Sequence, residues 1–306
     1  MARPSAARRQ DPRIARPSVA RPAGPTGATP GDAPRETPRS RPFLKWAGGK
    51  GQLLDQLRPL LPGRFRRYFE PFAGGAALFF ALRPPRALLA DVNEELIDCY
   101  LATRDHVDGV IEALGHYRYG AEDYYRARAV DRTTLPLAER AARTIYLNKT
   151  GYNGLYRVNR AGKFNVPMGR YTNPLLCDAG NLRACSTALQ GVDLRVDDFE
   201  DVASRARTND FVYFDPPYVP VSDSADFTSY VPGGFGAAQQ RRLAAVFAGL
   251  ARRGVYAMLS NSDTPTVREL YRGFRIDPVL AARFINSRGN KRGKVGEVVV
   301  SNFAGP

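Results

Sequence analysis

Strand, turn and helix follow one another in Phe69-Glu-Pro-Phe-Ala-Gly-Gly-Ala-Ala77. A short apolar strand ends there in a turn of small residues, which runs directly into an apolar helix predicted for residues 78–82. Glycines in such a turn let the backbone approach a ligand closely, and the first N–H groups of the helix can bind an anion. Taken alone, the glycines are equally typical of a plain tight turn.

The alternation of strand and helix continues along the chain. Short apolar or alternating runs predict strands at residues 67–70, 87–90, 192–196, 211–214 and 255–259. Helical spacing predicts helices between them, at residues 94–102, 137–148 and 237–252. We therefore expect an α/β fold with a mainly parallel, doubly wound sheet, whose ligands bind at the carboxyl ends of the strands.

A second strand end carries an acidic residue, in Leu89-Ala-Asp-Val-Asn93. Asp91 follows the small-residue turn by roughly 20 residues, the spacing at which an acidic side chain binds the ribose of a nucleoside. The two strand ends together predict a nucleoside-cofactor pocket. The phosphate loop of nucleotide hydrolases is a poor match, because Gly48-Gly-Lys-Gly51 lacks the leading glycine and the Ser or Thr after the lysine.

A third strand end is the most specific, and it reads Asp210-Phe-Val-Tyr-Phe-Asp-Pro-Pro-Tyr218. Asp215 terminates an apolar strand, two prolines fix the turn, and an aromatic ring follows at once. Asp-Pro-Pro-Tyr in this setting resembles the catalytic loop of the amino-group DNA methyltransferases. The resemblance implies a catalytic site formed by Asp215, Pro216, Pro217 and Tyr218.

These residue types suit methylation of an exocyclic amine, which is a poor nucleophile because its lone pair is delocalised into the ring. The Asp215 carboxylate and a backbone carbonyl near Pro216 can accept the two N–H groups, so that the nitrogen lone pair is directed at the methyl donor. The Tyr218 ring can stack on a base extruded from the duplex. Since the amine becomes acidic only as it gains the methyl group, a carboxylate of ordinary pKa suffices at Asp215.

Six motifs in the same order extend the resemblance to the Dam-type DNA adenine methylases of the D12 class, alpha group. Across residues 43–303 they read Phe43-Leu-Lys-Trp-Ala-Gly-Gly-Lys-Gly51, Glu70-Pro-Phe-Ala-Gly-Gly75, Ala90-Asp-Val-Asn93, Gly154-Leu-Tyr-Arg157, Phe164-Asn-Val-Pro167 and Asp215-Pro-Pro-Tyr218. The wording is most similar to the Dpn-type restriction-system methylases of GATC sites. The resemblance implies a Rossmann-like methyltransferase fold with an inserted, mostly helical target-recognition domain. It implies N6 methylation of adenine in double-stranded DNA, at GATC, with S-adenosyl-L-methionine as the methyl donor.

The matched motifs also name the residues of the cofactor site. The implied binding positions are Trp46, Lys50, Phe72, Gly74, Asp91, Asp198, Phe199 and Asp215. One departure is visible, because the family's Phe-x-Gly-x-Gly loop has Ala76 at its last position. We expect this methyl group to narrow the clearance around the cofactor without abolishing binding.

Residues 106–189 are the expected target-recognition region, inserted between two parts of the catalytic domain, residues 43–105 and 190–303. Within it, residues 140–177 contain seven basic residues and no acidic one, interleaved with aromatic rings. A solvated basic face is the plainer interpretation, but the interleaving favours a nucleic-acid surface. By resemblance Tyr152 wedges into the duplex, and the implied DNA-binding positions are Lys45, Tyr152, Asn153, Leu155, Arg157 and Pro167. A second basic cluster at residues 283–294 suits phosphate contacts.

Composition limits the remaining classes. The 306 residues carry a net charge of +15, which favours a polyanionic partner. Residues 1–42 hold nine arginines, three acids, nine prolines and no aromatic residue, so this tail is predicted to be disordered. Metal binding is not indicated. The three cysteines are widely spaced, and neither they nor the two histidines show metal-ligand spacing, so we expect free thiols and no metal. The sequence has no apolar run of about 18 residues, so we expect no membrane span.

The expected partner is double-stranded DNA, together with a restriction endonuclease or a mismatch-repair system acting on the same site. We expect a monomer that works in the bacterial cytoplasm. Two alternatives stay open at this point. N4-cytosine methylation uses the same amine chemistry, although those enzymes usually carry Ser where Asp215 stands. A catalytically silent DNA-binding protein would explain the charge, but not the joint presence of Asp91, the glycine turn and the Asp-Pro-Pro-Tyr motif.

Overall fold

A single seven-stranded sheet organises the computed structural model, which describes residues 1–2, 39–220, 235–282 and 294–305. The strands are β1 Tyr68–Glu70, β2 Ala87–Asp91, β3 Asp193–Val196, β4 Phe211–Phe214, β5 Tyr256–Ser262, β6 Arg275–Ala282 and β7 Lys294–Ser301. Their order is β3-β2-β1-β4-β5-β7-β6, and every neighbouring pair is parallel except the two that involve β7. The expected α/β class with a mainly parallel sheet is confirmed.

Ten helices connect these strands in the described part of the chain. They are α1 Leu54–Leu57, α2 Ala77–Leu82, α3 Glu94–Asp105, α4 Val107–Gly115, α5 Ala121–Ala129, α6 Leu137–Thr150, α7 Ala179–Leu189, α8 Phe199–Ser204, α9 Ala237–Arg252 and α10 Pro265–Leu270. Short 3-10 turns occur at Lys50–Gln52, Arg58–Leu60, Arg132–Thr134 and Tyr152–Gly154. Among the described helices, none is long and apolar enough to cross a membrane.

Helices cover both faces of the sheet because successive residues of a strand face opposite sides. Tyr213 of β4 packs in a core cluster with α3, α6 and α7, whereas Phe214 packs in a second cluster with α8, α9 and α10. Every residue of β1 and β4 is buried, as expected for central strands that are covered on both faces. The doubly wound arrangement predicted from the sequence is therefore present.

The antiparallel end of the sheet was not predicted. β6 contains Asp277 and Pro278, residues that are depleted in strands, and its partner β7 begins with Lys294. Proline is tolerated here because β6 is the last strand of the sheet and pairs on one side only. β7 brings Glu297 opposite Ser262 at the carboxyl end of β5.

Two predicted features fall outside the described residues. They are the disordered tail, described only at residues 1–2 and 39–42, and the basic cluster at 283–294, of which the structure describes only the backbone of residue 294. The region between β2 and β3 holds α3 to α7 and a segment closed by two isolated antiparallel bridges, Gly151 with Met168 and Val158 with Phe164. We call residues 151–168 the bridged segment.

Candidate active site

Three acidic side chains gather at one edge of the sheet, because parallel strands have their carboxyl ends on the same side. Glu70 ends β1, Asp91 ends β2, and Asp215 directly follows β4. Since β1 lies between β2 and β4, the three strand ends are neighbours. The small-residue turn after β1, residues 71–76, which we call the cofactor turn, therefore lies at the same edge as the Asp-Pro-Pro-Tyr motif. This is the edge where the sequence predicts a ligand.

The turn after β1 is built around Gly74, whose φ of 46° would strain any residue with a side chain. A Cβ atom at Gly74 would lie 2.9 Å from Cδ1 of Trp46, so the indole packs directly on the backbone. The Gly74 N–H donates to Oδ2 of Asp91 at 3.2 Å, and the Tyr100 hydroxyl donates to the Gly74 carbonyl at 2.8 Å. Three of the predicted cofactor positions are thus brought into contact.

The Asp91 carboxylate is desolvated but still has room for a ligand. Burial raises the pKa of Asp91 to about 6, against the opposing effect of the backbone N–H groups of Asn93 and Gly74. Its Oδ1 accepts from the Asn93 N–H at 3.0 Å. Each carboxylate oxygen has two lone pairs, so Asp91 can accept further hydrogen bonds from the hydroxyl groups of a ribose.

Ala76 stands where the family's loop has glycine, and it adopts a positive φ of 48° just before α2. Its side chain is buried and packs in the core cluster of α3 and α6. A non-glycine residue in this left-handed region is conformationally unfavourable. The structure therefore shows a strained backbone at this departure, and the narrowed clearance around the cofactor stays a prediction.

Asp215 is paired with Lys50, whose Nζ lies 2.7 Å from Oδ1 of Asp215. Lys50 itself is 4% exposed. Burial raises the pKa of Asp215 to about 6, while Lys50 opposes this rise and Glu297 adds to it. An ordinary pKa would suffice for the role predicted from the sequence, and the raised pKa of the desolvated carboxylate lets it take up a proton near neutral pH.

Glu70 is the third acid at this edge, and the sequence had assigned it no role. Burial raises the pKa of Glu70 to about 8, although the Tyr68 hydroxyl donates to its Oε2 at 2.8 Å and lowers it. Glu70 is therefore predominantly protonated at pH 7. Asp215, and not Glu70, is the carboxylate that pairs with Lys50.

Two buried amides hold the backbone of the catalytic loop, residues 215–219. Gln240 in α9 donates from Nε2 to the Pro217 carbonyl at 2.9 Å, and Asn261 in β5 accepts from the Val219 N–H at 3.0 Å. The two amides also bond to each other, at 3.2 Å. Gln240 thus occupies the Pro217 carbonyl. Within the described ranges, no donor bonds to the carbonyl of Pro216.

The Tyr218 ring is held at both its tip and its face. Its hydroxyl donates to Oε2 of Glu297 in β7 at 2.9 Å, and Nζ of Lys50 lies 4.7 Å from the ring centre. Burial raises the pKa of Tyr218 well above its ordinary value, so the hydroxyl remains a donor. The loop is thus supported by side chains from four different elements of the fold.

A pair of stacked rings lies next to the cofactor turn. The rings of Phe72 and Phe199 have centres 5.4 Å apart and planes 23° from parallel. Asp198 caps α8 by accepting from the Glu200 N–H at 2.9 Å, and it pairs with Arg242. Phe72 and Phe199, which the sequence predicts to bind the cofactor together, are thus in contact. Asp198, a third predicted cofactor position, uses its carboxylate to cap α8 and to pair with Arg242.

Lys45 is joined to the bridged segment by Asn148 of α6, which is buried. The Lys45 N–H donates to Oδ1 of Asn148 at 2.8 Å, and Nδ2 of Asn148 donates to the carbonyls of Lys45 at 2.7 Å and Gly154 at 2.9 Å. A Cβ atom at Gly154 would lie 2.6 Å from Cδ of Lys45, so the two chain segments are in close contact. The Asn148 amide therefore joins two of the sequence motifs, Phe43–Gly51 and Gly154–Arg157.

The outer part of the bridged segment is exposed. Tyr152 is 50% exposed, and its N–H donates to the Pro167 carbonyl at 2.9 Å. Arg157 donates from Nε to Oδ1 of Asn165 at 2.7 Å, which orients its guanidinium group. Of the six predicted DNA-binding positions, Lys45 packs against this segment at Gly154, and the other five lie in it: Tyr152, Asn153, Leu155, Arg157 and Pro167.

Comparison with known proteins gives a family for this chain. Residues 46–284 match the family described as D12 class N6 adenine-specific DNA methyltransferase. The chain is 43% identical to the type II methyltransferase M1.LlaDCHI of Lactococcus lactis subsp. cremoris, over 86% of this chain and 95% of that protein. It is 41% identical to the type II methyltransferase M.MjaIII of Methanocaldococcus jannaschii, over 86% and 99%, and 37% identical to the DNA adenine methylase of Escherichia coli K12, over 85% and 95%.

The chain belongs to this D12 family. It is a site-specific, adenine-specific DNA methyltransferase, as its motifs predicted, and the family implies S-adenosyl-L-methionine as the methyl donor. This assignment removes the N4-cytosine alternative and the silent DNA-binding protein. In the described ranges of the methyltransferase, no group of three or more His, Cys, Asp or Glu side chains is arranged to hold a metal ion.

The acid-free stretch of the methyltransferase is not uniformly a DNA surface. Arg143 is 4% exposed and donates to the Ala127 carbonyl at 2.8 Å, and Nη1 of Arg140 lies 3.4 Å from Oδ2 of Asp98. These two arginines join α6 to α5 and α3, so counting them as nucleic-acid contacts was wrong. The exposed basic residues of the stretch are Arg157, Arg160, Lys163 and Arg170.

Four supporting residues of the methyltransferase were missed by the sequence argument: Asn148, Gln240, Asn261 and Glu297. Two of them had a usable signal. The strand β5 ends in the polar triplet Ser260-Asn-Ser262, and a single acid stands in the apolar run of β7. A polar side chain inside a buried strand needs a partner, which would have pointed to a site. Gln240 and Asn148 lie in ordinary helical patterns and carry no such signal.

Proposed function

We propose that the catalytic loop transfers a methyl group to the N6 amine of an adenine extruded from double-stranded DNA, at GATC. The observation that carries this proposal is the pair of acceptors at adjacent residues, the Asp215 carboxylate and the uncommitted Pro216 carbonyl. Two acceptors of this kind match the two N–H groups of an exocyclic amine. The two prolines have no N–H, so neither can supply a backbone donor that would compete for these acceptors.

In the proposed reaction the amine donates one N–H to Asp215 and the other to the Pro216 carbonyl. The nitrogen lone pair then faces the methyl group of S-adenosyl-L-methionine, which supplies an electrophilic carbon when bound. The C–N bond forms as the C–S bond breaks, and the proton leaves N6 for Asp215. The raised pKa of Asp215 suits this last step, because the carboxylate must accept a proton near neutral pH.

The methyl donor would be held by the turn after β1 and its neighbours. Asp91 has free acceptor capacity for the ribose, and Gly74 and Trp46 form a close-packed wall that leaves no room for a side chain. The aromatic pair of Phe72 and Phe199 would flank the adenine ring of the donor. Lys50 and Asp215 would complete the site on the side of the reacting atoms.

Tyr218 would stack on the extruded base, and the bridged segment would read the duplex around it. Tyr152 is exposed enough to enter the helix where the adenine leaves, and Arg157 presents a guanidinium that suits guanine O6 and N7. We assign residues 106–189 to target recognition, and residues 43–105 and 190–303 to the catalytic domain. Lys45, Asn153, Leu155 and Pro167 complete the proposed DNA contacts.

The test uses the purified protein with radiolabelled S-adenosyl-L-methionine and three duplexes that differ only in the site. One contains GATC, one replaces its adenine with cytosine, and one permutes the four bases. We expect N6-methyladenine in the first duplex alone, as identified by nucleoside chromatography. Equal labelling of the permuted duplex would overturn the GATC assignment while leaving adenine methylation intact.

The relatives named type II methyltransferases suggest a restriction endonuclease that acts on the same site. We propose such a partner, or a mismatch-repair system, together with a monomeric enzyme that works in the bacterial cytoplasm, where the chromosome is. Cleavage of host DNA after loss of Asp215 would support the endonuclease. The endonuclease would be contradicted if the DNA of that strain stayed intact and its extract contained no activity that cuts unmethylated sites.

A further inference from the structure

Four chain segments meet at the edge of the sheet opposite the active site. Residues 61–67, 83–86, 205–210 and 253–255 lead into β1, β2, β4 and β5, so they lie at the amino ends of these four parallel strands. Backbone hydrogen bonds join them: the Arg66 N–H donates to the Asn209 carbonyl at 2.8 Å, and the Asn209 N–H donates to the Gly254 carbonyl at 2.9 Å. We call these four segments the arginine edge.

The arginine edge has almost no negative charge. Eight of its 20 residues are arginine, and Asp210 is its one acid. Asp210 is 1% exposed and already bonded to Arg67, at 2.9 Å. The arginines that are exposed and, among the described residues, make no side-chain hydrogen bond or ion pair are Arg64, Arg66, Arg83, Arg86 and Arg207.

Outside the arginine edge and the acid-free stretch, many exposed arginines of the described surface face acids. Arg126 pairs with Asp123, Arg183 with Asp108 at 2.7 Å, Arg268 with Asp263 at 2.7 Å, and Arg272 with Glu269. An arginine-rich composition accounts for the number of arginines, but it does not account for the removal of acids from one edge. Clustered like charges repel one another, so an unpaired group of this size suits an anionic partner.

The dimensions and chemistry of the edge favour a phosphate backbone. Four neighbouring strands span about 15 Å at the usual strand spacing, and a major groove is about 12 Å wide, so the edge reaches phosphates on both sides of a groove. The guanidinium fork matches phosphate oxygens. A duplex bound at the active site lies at the carboxyl ends of the strands, so contacts at the amino ends belong to a different segment of DNA.

We propose that the arginine edge binds the phosphate backbone of a second duplex segment while a first segment occupies the active site. The proposal rests on the proposed function only in that DNA occupies the opposite edge. The methyltransferase would then bridge two stretches of DNA. Binding at the arginine edge would be independent of base sequence, because phosphate contacts carry no direct sequence information.

The experiment measures bridging with the full-length protein. The enzyme is bound to an immobilised duplex of about 20 base pairs that carries the target site, free enzyme is washed away, and a fluorescent duplex without the site is added. The test variant is R64Q/R66Q/R83Q/R86Q. The matched control is R126Q/R183Q/R268Q/R272Q, which removes the same number of positive charges from arginines that are paired with acids.

We expect the wild type and the control to retain the second duplex, and the test variant to retain at least 10-fold less. Retention by the wild type should fall steeply with salt, because phosphate contacts release counterions. Equal retention by both variants, or none by the wild type, would overturn the proposal. Retention of single-stranded RNA but not of duplex would also overturn it and make the edge an RNA site. The wild type, the test variant and the control variant should all methylate the immobilised duplex. If none of them does, the catalytic assignment has failed, which is a different result from a loss of bridging.

Discussion

The catalytic loop and the bridged segment are both loops, yet they are built in opposite ways. Each part of the catalytic loop is held by a buried side chain from a different element, namely Lys50, Gln240, Asn261 and Glu297. The bridged segment has two isolated antiparallel bridges, and the side chains of Asn148, Tyr124 and Tyr171 bond to its backbone, but its outer residues face solvent. The catalytic loop is therefore fixed along its whole length, whereas the bridged segment is fixed at its base and exposed at its outer residues. We call them the fixed loop and the adjustable loop.

The difference follows from what each loop has to do. Methyl transfer needs the acceptors within fractions of an ångström of their productive positions, and preorganised groups avoid a reorganisation cost during the reaction. Reading bases in a groove requires side chains that reach into a partner and are ordered by it. The bridged segment meets the turn after β1 at Trp46, whose ring stacks on Tyr156 with centres 5.2 Å apart while its edge packs against Gly74.

The largest expected effect is at the centre of the fixed loop. Asp215→Ala removes the charged acceptor, and we expect kcat to fall by about 10³-fold, the usual range for a proton-accepting group. Binding of duplex should change little, because the bridged segment is untouched. Single-turnover methylation and equilibrium binding measure the two effects separately. Asp108→Ala, at an exposed ion pair with Arg183, is the control and should keep full activity.

Retention of more than a tenth of the wild-type kcat by Asp215→Ala would contradict its role. Because this variant leaves Lys50 buried without a partner, Asp215→Asn provides a second variant that keeps the shape of the side chain. We expect both variants to be impaired. A loss confined to the alanine variant and accompanied by unfolding would instead mean that Asp215 serves stability.

Two asparagines compare the loops directly. Asn261→Ala leaves the buried Val219 N–H and the Gln240 amide without partners, so we expect about 3 kcal/mol lower stability and a fall in kcat of about 10²-fold. Asn165→Ala releases only the exposed Arg157 and should change stability by less than about 0.5 kcal/mol. Denaturant unfolding and steady-state kinetics give both numbers. Equal losses of stability would erase the contrast between the loops.

Arg157→Ala tests the adjustable loop. We expect this variant to lose preference at one base pair by about 1 to 3 kcal/mol, because a guanidinium that reads a base edge is removed. Its kcat on the best site should remain close to that of the wild type. Competition among duplexes with single-base changes measures the preference. Uniform weakening across all sequences would instead make Arg157 a phosphate contact.

A smaller effect is expected where the fixed loop meets β7. Tyr218→Phe and Glu297→Ala each remove the hydroxyl–carboxylate contact, and we expect about a 10-fold fall in kcat for each, which corresponds to about 1.4 kcal/mol. The double variant should be no worse than either single one, since both break the same contact. Glu297→Gln keeps an acceptor oxygen and should lose less. Additive losses would mean that Glu297 acts on something other than Tyr218.

The smallest change is a pH effect that belongs to one loop only. Burial raises the pKa of Asp215 to about 6, so the carboxylate is protonated below that pH and available above it. We expect kcat/KM for DNA, measured at constant ionic strength and at saturating methyl donor so that Asp91 is already occupied, to rise with pH through a midpoint near 6. Arg157→Ala should show the same midpoint, because its guanidinium does not titrate in this range. A shifted midpoint in Arg157→Ala would show that the two loops are electrostatically coupled.

Most strands of the parallel part of the sheet were predictable to within one residue, because apolar runs bounded by turns are typical of buried strands. β5 extends three residues further than predicted, since its last residues are the polar triplet that supports the catalytic loop. β6 was missed because Asp277 and Pro278 interrupt its pattern, and β7 was missed because Gly296 and Glu297 interrupt its apolar run. Their pairing is decided by the sheet edge and not by local preference.

The sequence by itself determined the chemistry of this protein. Asp91, the glycine turn and Asp215-Pro-Pro-Tyr218 are local signals, because each motif needs only its own strand end to be recognised. The tertiary structure decided which acid is charged, which carbonyl is free and which arginines are paired. These properties depend on burial and on contacts between residues far apart in the chain, such as Glu297 with Tyr218 or Arg140 with Asp98. Desolvation and long-range pairing are set by packing, which no local pattern encodes.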